Sequence, residues 1–225
     1  MPLSIAIDGP VGAGKSTISD EVAKRLNIIH LDTGAMYRAV GLKALESGID
    51  IHDEEKVTEM CRSGAALVDV LYRDGAQVTL MNGEDVNGRI RTQQAGEAAS
   101  AVSRYRYVRE MLVKRQQEIA KKQDILIDGR DICTVVLPDA KVKIYLTASA
   151  EERARRRMQQ LAEKGQQIPF EEILEEVNAR DWQDMHREVD PLRIDEGATV
   201  VDTTNLDFEA SVQAILRCVE EAKTL

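Results

Sequence analysis

The stretch LSIAIDGPVGAGKST, residues 3–17, decides the fold class. Its first part, Leu3 to Ile7, is a short apolar run rich in residues that favour a core strand. The pattern GxxxxGK[ST] follows from Gly9 to Ser16, and a helical pattern covers 15–26. A strand, a glycine-rich phosphate-binding loop (P-loop) and a helix in this order predict a nucleotide-binding α/β fold.

The residue types in this loop suit phosphate binding. The glycines let backbone N–H groups turn toward a phosphate at a helix N-terminus. Lys15 supplies a positive charge to the β and γ oxygens, and Ser16 offers a hydroxyl to Mg²⁺. A glycine turn with an idle lysine is the alternative, and the strand and helix on either side disfavour it. We predict that ATP contacts the whole loop: Gly9, Pro10, Val11, Gly12, Ala13, Gly14, Lys15, Ser16 and Thr17.

Short apolar runs alternate with helical patterns along the rest of the chain. Apolar residues at three- and four-residue spacing predict the helices, and β-branched runs predict the strands. This alternation predicts a doubly wound α/β domain, with a five-stranded parallel sheet flanked by helices. The further predicted strands are 28–31, 125–127, 142–146 and 199–201, and the further helices are 34–47, 106–121, 149–163, 170–187 and 207–223.

Residues between about 60 and 100 follow a different pattern. ALVDVLY and AQVTLMN alternate around Arg73-Asp74-Gly75, which is a hairpin signal outside the βα rhythm. We expect a small antiparallel subdomain inserted into a single domain whose core is 1–59 and 101–225. The charged stretch at about 153–170 is either a mobile lid or a solvated helix with its loop.

Composition and charge exclude several classes of function. The formal net charge of -9 argues against a nucleic acid as the main partner, because phosphate neutralisation needs a basic surface. No apolar run reaches transmembrane length, and the N-terminus lacks the basic region of a signal peptide. The three cysteines, Cys61, Cys133 and Cys218, form no CxxC pair, so neither a disulfide framework nor a zinc site is predicted. We expect a cytoplasmic protein without a membrane partner.

The segment ILIDGRD, residues 125–131, is a second candidate for chemistry. An apolar strand that ends in acidic and arginine residues puts these side chains at the carboxyl edge of the sheet, beside the P-loop. Asp128 suits a water on Mg²⁺, and Arg130 suits a bidentate grip on a transferring phosphate. An ordinary turn after a strand is the alternative.

Charged residues also recur at helical spacing near the end of the chain. Arg180, Asp184 and Arg187 lie four and three residues apart, which predicts one helical face. This face is either a substrate clamp or a surface ion-pair ladder. Arg153 and Arg157 are four residues apart and point either to ATP or to water.

The segment TGAMYR opens the second predicted helix, directly after a strand. Thr33 is either a substrate contact or an ordinary N-cap, and Arg38 is either a substrate contact or an exposed helix residue.

Together these motifs resemble the nucleoside-monophosphate kinases, and within them the bacterial cytidylate kinases. The resemblance runs almost from end to end and implies a core, a monophosphate-binding insert and a small lid. It also implies Mg²⁺-dependent transfer of a phosphoryl group from ATP to CMP or dCMP. The motifs that carry it, in family order, are IDGPVGAGKST, LDTGAMYR, GEDVNGRIRTQ, YVREMLVKRQ, DGRDICTVVLPDAKVKIYLTAS, EERARRRMQQL and RDWQDMHREVDPL.

The resemblance implies roles by matching positions. Catalytic roles fall to Lys15, Arg130, Arg153 and Arg157, and the last two resemble lid arginines that embrace ATP. The substrate side comprises Thr33, cytosine contacts at Ser100, Arg109 and Asp131, pentose contacts at Arg180 and Asp184, and an acceptor-phosphate clamp of Arg38, Arg130 and Arg187. Ser16, with Asp128 through water, matches the Mg²⁺ site.

The chain departs from the family pattern at three positions. Cys133 stands where glycine is usual, Thr33 where serine is common, and Asp190 where alanine is usual. None of these changes removes a charge that the mechanism needs. The backbone conformation at Cys133 is therefore not predicted, because glycine is favoured where φ is unusual or where a ligand comes close.

Two other functions remain as alternatives at this point. The first is a P-loop kinase for another small acceptor, such as UMP or a metabolite hydroxyl. The second is a non-catalytic nucleotide switch, although the chain has no guanine-reading NKxD motif. We expect a monomer, because closure around ligands needs a free insert and lid.

Overall fold

The computed structural model describes residues 2–163 and 165–223. By internal contacts the chain forms two compact units. We call residues 3–27 with 126 to the C-terminus the P-loop unit, and residues 28–125, together with residue 2, the middle unit.

Eight strands form two sheets in the part of the chain that the structure describes. Five strands build a parallel sheet in the order β2-β6-β1-β7-β8, and β3, β4 and β5 build an antiparallel sheet in that order. The strands are β1 (Ser4–Asp8), β2 (Ile29–Asp32), β3 (Val68–Arg73), β4 (Ala76–Met81), β5 (Glu84–Asp85), β6 (Ile125–Gly129), β7 (Val142–Thr147) and β8 (Thr199–Asp202). All five strands predicted for the parallel sheet are confirmed, within one or two residues at their ends.

Eight α-helices connect and cover these strands in the described residues. A short π-helical turn, Ile132–Val136, lies between β6 and β7. The helices are α1 (Lys15–Leu26), α2 (Thr33–Glu46), α3 (Glu54–Arg62), α4 (Gln93–Val102), α5 (Arg106–Ala120), α6 (Ala150–Glu163), α7 (Phe170–His186) and α8 (Phe208–Lys223). No helix among the described residues is both long and apolar enough to cross a membrane.

In the P-loop unit, parallel pairing sets where the strands end. Asp8 of β1 is in register with Tyr145 of β7, and Thr147 of β7 is in register with Asp202 of β8. Since neighbouring parallel strands run the same way, their carboxyl ends share one edge of the sheet. This edge is where α/β folds bind their ligands.

In the middle unit, the predicted hairpin is confirmed. Asp74 and Gly75 both have positive φ, at 53° and 79°, and Arg73 pairs with Ala76 across them. This is the mirror-image two-residue turn that matches the twist of antiparallel strands. Aspartate and glycine are residues that tolerate left-handed backbone.

The sequence reasoning missed α3 and α4, which flank this hairpin. Both helices begin at ordinary capping residues, because Asp53 accepts a hydrogen bond from Lys56 N and Thr92 accepts one from Ala95 N, each at 3.1 Å. α4 packs closely on α2. A Cβ on Gly41 would lie 2.7 Å from Cβ of Ala98, so only glycine allows this approach of the two helices.

Candidate active site

Backbone conformation shapes the P-loop. Gly9, Gly12 and Gly14 have φ values of 154°, 75° and 85°, which residues with a side chain rarely adopt. A Cβ on Gly9 would also lie 1.9 Å from the carbonyl oxygen of Leu146 in β7. The glycines of the motif are therefore required by conformation, and at Gly9 by space as well. Gly14 is the N-cap of α1, so the loop leads directly into the helix N-terminus.

Lys15 folds back over this loop. Its Nζ donates to the carbonyl oxygens of Gly9 at 2.7 Å and Pro10 at 2.8 Å, and the residue is 6% exposed. Burial, followed by the nearby charge of Arg130, lowers the pKa of Lys15 from 10.5 to about 7. The carboxylates of Asp128, Asp184 and Asp8 act in the opposite direction, and an arriving anion would likewise raise this pKa.

Ser16 and Asp128 form an oxygen pair beside Lys15. Ser16 Oγ donates to Asp128 Oδ2 at 3.0 Å, and Asp128 is buried at the end of β6. Among the described residues, no group of three or more His, Cys, Asp or Glu side chains could hold a metal ion. A hydroxyl and a carboxylate without such a cage fit Mg²⁺, which keeps several waters and takes phosphate oxygens as further ligands.

Arg130 and Asp184 form the next ion pair of the site. Arg130 Nε donates to Asp184 Oδ2 at 2.7 Å, and the Asp184 side chain is 9% exposed. Burial alone would raise the pKa of Asp184, but the charge and hydrogen bond of Arg130 bring it below 3.8. A surface ion-pair ladder is thus excluded for Asp184, because the carboxylate is buried and its partner follows a strand.

Arg187 corrects the predicted helical face. α7 ends at His186, and Arg187 is the extended residue that follows it, so Arg187 does not share the helix with Arg180 and Asp184. Its guanidinium donates from Nε to the carbonyl oxygen of Asp190 at 2.7 Å and from Nη2 to the same oxygen. Arg187 Nη2 also lies 3.5 Å from Asp131 Oδ1.

Two of the departures from the family pattern fit this backbone without difficulty. Asp190 has φ 47°, a left-handed conformation that aspartate tolerates better than most residues. Cys133 has no positive φ and lies buried in the π-helical turn, with Sγ 3.5 Å from the carbonyl oxygen of Ala6. Burial, and then the charge of Asp8, raise the pKa of the Cys133 thiol, so it stays protonated.

Asp8 is a buried residue that the sequence reasoning did not select. Its two carboxylate oxygens accept from the backbone N–H groups of Ile132 and Cys133, both at 2.8 Å. Burial raises the pKa of Asp8 from 3.8 to about 6, although these hydrogen bonds lower it. Asp8 therefore ties the end of β1 to the segment after Asp131. Its position as the last residue of a buried strand was the available signal.

The two predicted lid arginines of α6 have different surroundings. Arg153 is 5% exposed and donates to the carbonyl oxygens of Ala148 and Val11, each at 2.9 Å. Its Nη2 lies 2.6 Å from Oδ2 of Asp181, which the sequence reasoning also missed. Arg157, one turn further along, is half-buried.

The predicted lid region belongs to a helical hairpin. Within the described part of the chain, α6 covers its beginning and α7 its end, with residue 164 outside the description. The two helices enclose an apolar cluster of Ala154, Leu161, Ile173 and Val177, and Val11 of the P-loop packs against it. Movement of the lid stays a prediction.

In the middle unit, Arg109 has the most enclosed position. It is 1% exposed, donates from Nη1 to the carbonyl oxygen of Ser103 at 3.1 Å, and lies over the Tyr37 ring at 5.8 Å. A fully buried arginine is uncommon unless its donors have partners, so this position agrees with a built site.

The remaining candidates of the middle unit lie on α2 and α4, which pack together. Ser100 and Arg38 are half-buried, so Arg38 is not the exposed helix residue of the alternative. Thr33 is buried and is not the N-cap of α2. That position belongs to Asp32, whose side chain accepts from Ala35 N at 3.1 Å. Aspartate caps at least as well as threonine, and it stands one residue earlier.

Comparison with known proteins gives whole-chain matches. A family model described as cytidylate kinase matches residues 5–221. A cytidylate kinase of Caldicellulosiruptor saccharolyticus is 50% identical over 214 residues, which cover 95% of this chain and 94% of that protein. A cytidylate kinase of Bacillus subtilis is 46% identical over 219 residues, which cover 97% of each chain.

A solved structure shares the fold. An uncharacterized protein from Eubacterium ventriosum superposes with a TM-score of 0.55 and 9% identity, and the match covers 97% of this chain and 98% of that one. At this identity the likeness concerns the arrangement of strands and helices alone.

Proposed function

The chain belongs to the cytidylate kinase family, and from this premise we propose that it transfers the γ-phosphoryl group of ATP to CMP or dCMP. The observation that carries the proposal is the P-loop geometry. Lys15 lies buried over the loop, beside the Ser16–Asp128 oxygen pair at the carboxyl edge of the sheet. Phosphoryl transfer asks mainly for such positioning and charge compensation.

On the donor side, the P-loop amides and Lys15 bind the ATP phosphates. Ser16 would hold Mg²⁺ through its hydroxyl, and Asp128 would do so through a water. A bound Mg²⁺ supplies charge neutralisation at the β and γ oxygens. Arg157 contacts the same phosphates from α6. The remaining loop residues, Thr17 included, complete the contacts to ATP.

On the acceptor side, we assign the CMP phosphate to Arg38, Arg130 and Arg187, with Thr33 as a further contact. Arg130 donates a hydrogen bond to one oxygen of Asp184, and Arg187 donates to the carbonyl oxygen of Asp190. These contacts keep the two guanidinium groups oriented before substrate arrives. Such pre-organisation lowers the entropic cost of binding a phosphate in one geometry.

Base and sugar would be recognised by hydrogen bonding. Cytosine presents an N4 amino donor beside an N3 acceptor, whereas uracil presents the reverse. A carboxylate at Asp131 accepts from N4–H, and Arg109 donates to N3 or O2, with Ser100 as a further contact. Arg180 and Asp184 would bind the pentose hydroxyls. A mismatched buried group costs about 1–3 kcal/mol, so CMP is favoured over UMP.

The mechanism needs no general base among these residues. The acceptor phosphate is already ionised at neutral pH, so one of its oxygens can attack the γ-phosphorus directly while the bond from that phosphorus to the β,γ-bridging oxygen breaks and ADP leaves. Lys15 and Arg130, with the arginines of α6, stabilise the charge that develops in the transition state. Closure of residues 153–170 would exclude water that otherwise hydrolyses ATP. We also propose a cytoplasmic monomer, since this closure needs free surfaces.

The test is a coupled assay of ADP release with ATP, Mg²⁺ and a panel of acceptors. We expect release that depends on CMP or dCMP, is much slower with UMP, and disappears on chelation of Mg²⁺. Faster release with UMP or with a metabolite alcohol would assign another acceptor. ATP binding without acceptor-dependent release would identify a nucleotide switch instead.

A further inference from the structure

Each nitrogen of the Arg153 guanidinium group has a partner within the protein. Its Nε donates to the Ala148 carbonyl and its Nη1 to the Val11 carbonyl, each at 2.9 Å. Its Nη2 lies 2.6 Å from Asp181 Oδ2, and the two side chains are 6% and 13% exposed. All three guanidinium nitrogens therefore have partners, which take three of the five N–H donors of the group.

The bond to Val11 has a defined effect on the P-loop. A peptide unit is planar and trans, so its C=O and N–H point in opposite directions. Holding the Val11 carbonyl toward Arg153 therefore turns the Gly12 N–H to the opposite side. Lys15 holds the two preceding carbonyls, those of Gly9 and Pro10. Lys15 and Arg153 thus hold three consecutive carbonyls. Since Pro10 has no N–H, this sets the directions of two loop amides, those of Val11 and Gly12.

Packing supports the same contact between α6 and the loop. A Cβ on Gly12 would lie 3.2 Å from Cβ of Arg153, so the loop and the helix are in close contact there. Val11 packs its side chain against the apolar cluster between α6 and α7. The conformation of the loop is therefore coupled to this helical hairpin.

Asp181 is the carboxylate that pairs with Arg153 in this contact between α6 and the P-loop. Its Oδ2 pairs with Arg153, whereas its Oδ1 is buried and has no hydrogen-bond partner among the described residues. A buried acceptor without a partner is unfavourable, and such groups in native proteins call for an explanation. A function for the carboxylate charge explains why aspartate stands at this position.

We propose that Asp181 is a positioning residue for ATP binding: it holds Arg153 against the Val11 carbonyl and so keeps the P-loop amides directed at the phosphates. The inference rests on the proposed kinase function. It gives Arg153 a role in shaping the P-loop, in addition to the contact with ATP that the arginines of α6 make in the proposed mechanism.

A purely structural role is the competing explanation. In that case the Arg153–Asp181 pair would only join α6 to α7, and its loss would lower stability without a specific effect on ATP. The two explanations differ in the ratio of effects on ATP and CMP, and in whether Asp181 acts through Arg153.

The experiment compares Asp181→Ala, Asp181→Asn, Arg153→Gln and the double variant Asp181→Ala/Arg153→Gln. We expect Asp181→Ala to raise the KM for ATP about tenfold and the KM for CMP less than twofold. Asparagine retains an acceptor for Arg153 without the charge, so Asp181→Asn should give a smaller rise. The double variant should be no worse than Arg153→Gln alone, because the two residues act in series.

Asp195→Ala is the matched control, because Asp195 also pairs with a partly buried cation, Lys143, at 3.1 Å. It should leave both KM values unchanged. The inference is overturned if Asp181→Ala and Asp181→Asn lower Tm but leave the KM for ATP unchanged. It is also overturned if ATP and CMP are affected equally, or if the effects of the two single changes multiply in the double variant.

Calorimetric titration of the free protein with ATP separates this inference from the proposed function. The Kd for ATP needs no acceptor, so it should rise in Asp181→Ala whichever acceptor the enzyme uses. A wild-type protein that binds ATP but does not phosphorylate CMP would contradict the proposed function alone. An unchanged Kd in Asp181→Ala would contradict the positioning role alone.

Discussion

The P-loop unit and the middle unit position their candidate residues by different means. In the P-loop unit, charged side chains hold one another, as in the Arg130–Asp184 and Arg153–Asp181 pairs. The positions of these side chains therefore depend on charge. Ligand binding and turnover should respond to pH and to substitutions that replace a charged side chain with a neutral one.

In the middle unit, the positions of the candidate residues depend more on the close packing of side chains. α2 and α4 approach each other where Gly41 meets Ala98, and the guanidinium of Arg109 lies over the ring of Tyr37. A change of volume should disturb this unit more than a change of charge on its surface. Five experiments test this difference between the two units.

The largest effect is expected for Lys15→Met, which removes a charge from the transition state without removing a core side chain. We expect kcat to fall at least about 10³-fold, or about 4 kcal/mol, with an unchanged circular dichroism spectrum. Lys24→Met is the control, because Lys24 is exposed on the same helix. Near-normal turnover in a folded Lys15→Met protein would contradict the P-loop assignment.

Asp184→Ala should destabilise the P-loop unit by removing the partner of Arg130. A partly buried charge left unpaired costs about 3 kcal/mol, and turnover of both CMP and dCMP should also fall. Asp184→Asn keeps a hydrogen-bond acceptor and should lose less. Urea unfolding and steady-state kinetics measure the two effects, and unchanged values for both variants would refute a role for the pair.

Gly41→Ala tests the packing of the middle unit. The new methyl group would lie 2.7 Å from Cβ of Ala98, and such overpacking costs about 2 kcal/mol. Gly96→Ala, in α4, meets nothing within 4 Å and should instead stabilise by about 0.5–1 kcal/mol. Thermal unfolding distinguishes the two, and equal shifts in Tm would show that the α2–α4 contact is not limiting.

Asp131→Asn tests base recognition. The amide can turn its NH₂ toward O4 of uracil, so kcat/KM for CMP should fall while the CMP/UMP ratio narrows by about tenfold, or about 1.4 kcal/mol. Asp139→Asn, at an exposed position, is the control. Equal losses for CMP and UMP would assign Asp131 to the phosphate site and not to the base.

The smallest effect is a proton taken up on ATP binding. Lys15 has a pKa of about 7 in the free protein, so at pH 8 it is mostly neutral, and the ATP phosphates should raise its pKa and charge it. Calorimetric titration in buffers of different ionisation enthalpy should show uptake of nearly one proton at pH 8. Lys15→Met should abolish this uptake, and an equal uptake in the variant would place the proton elsewhere.

Local signals predicted much of the fold. The P-loop motif fixed the start of α1 at Lys15, and Asp74-Gly75 located the hairpin. α3 and α4 were missed although Asp53 and Thr92 are good caps. The alternating pattern that predicts strands within 60–100 accounts for the omission of α4, whereas most of α3 lies before that range.

The partners in the site could not be predicted in the same way. Arg130 and Asp184 are 54 residues apart, and nothing local to either residue indicates the other. Asp181 was overlooked beside Arg180 for a similar reason, since its role depends on the path of α6. The end of α7 at His186 could not be predicted either, because Arg187 keeps the helical spacing of three residues after Asp184 although it lies outside the helix.

The contact between Gly9 and Leu146 also bears on how the protein folds. The loop can take its shape only when β7 lies beside β1, and these strands come from distant parts of the chain. Forming such non-local pairs is entropically slow, so they are made late relative to local helices. A nascent chain that ends before residue 142 therefore contains the entire glycine-rich motif but still lacks β7, the strand against which that motif is shaped.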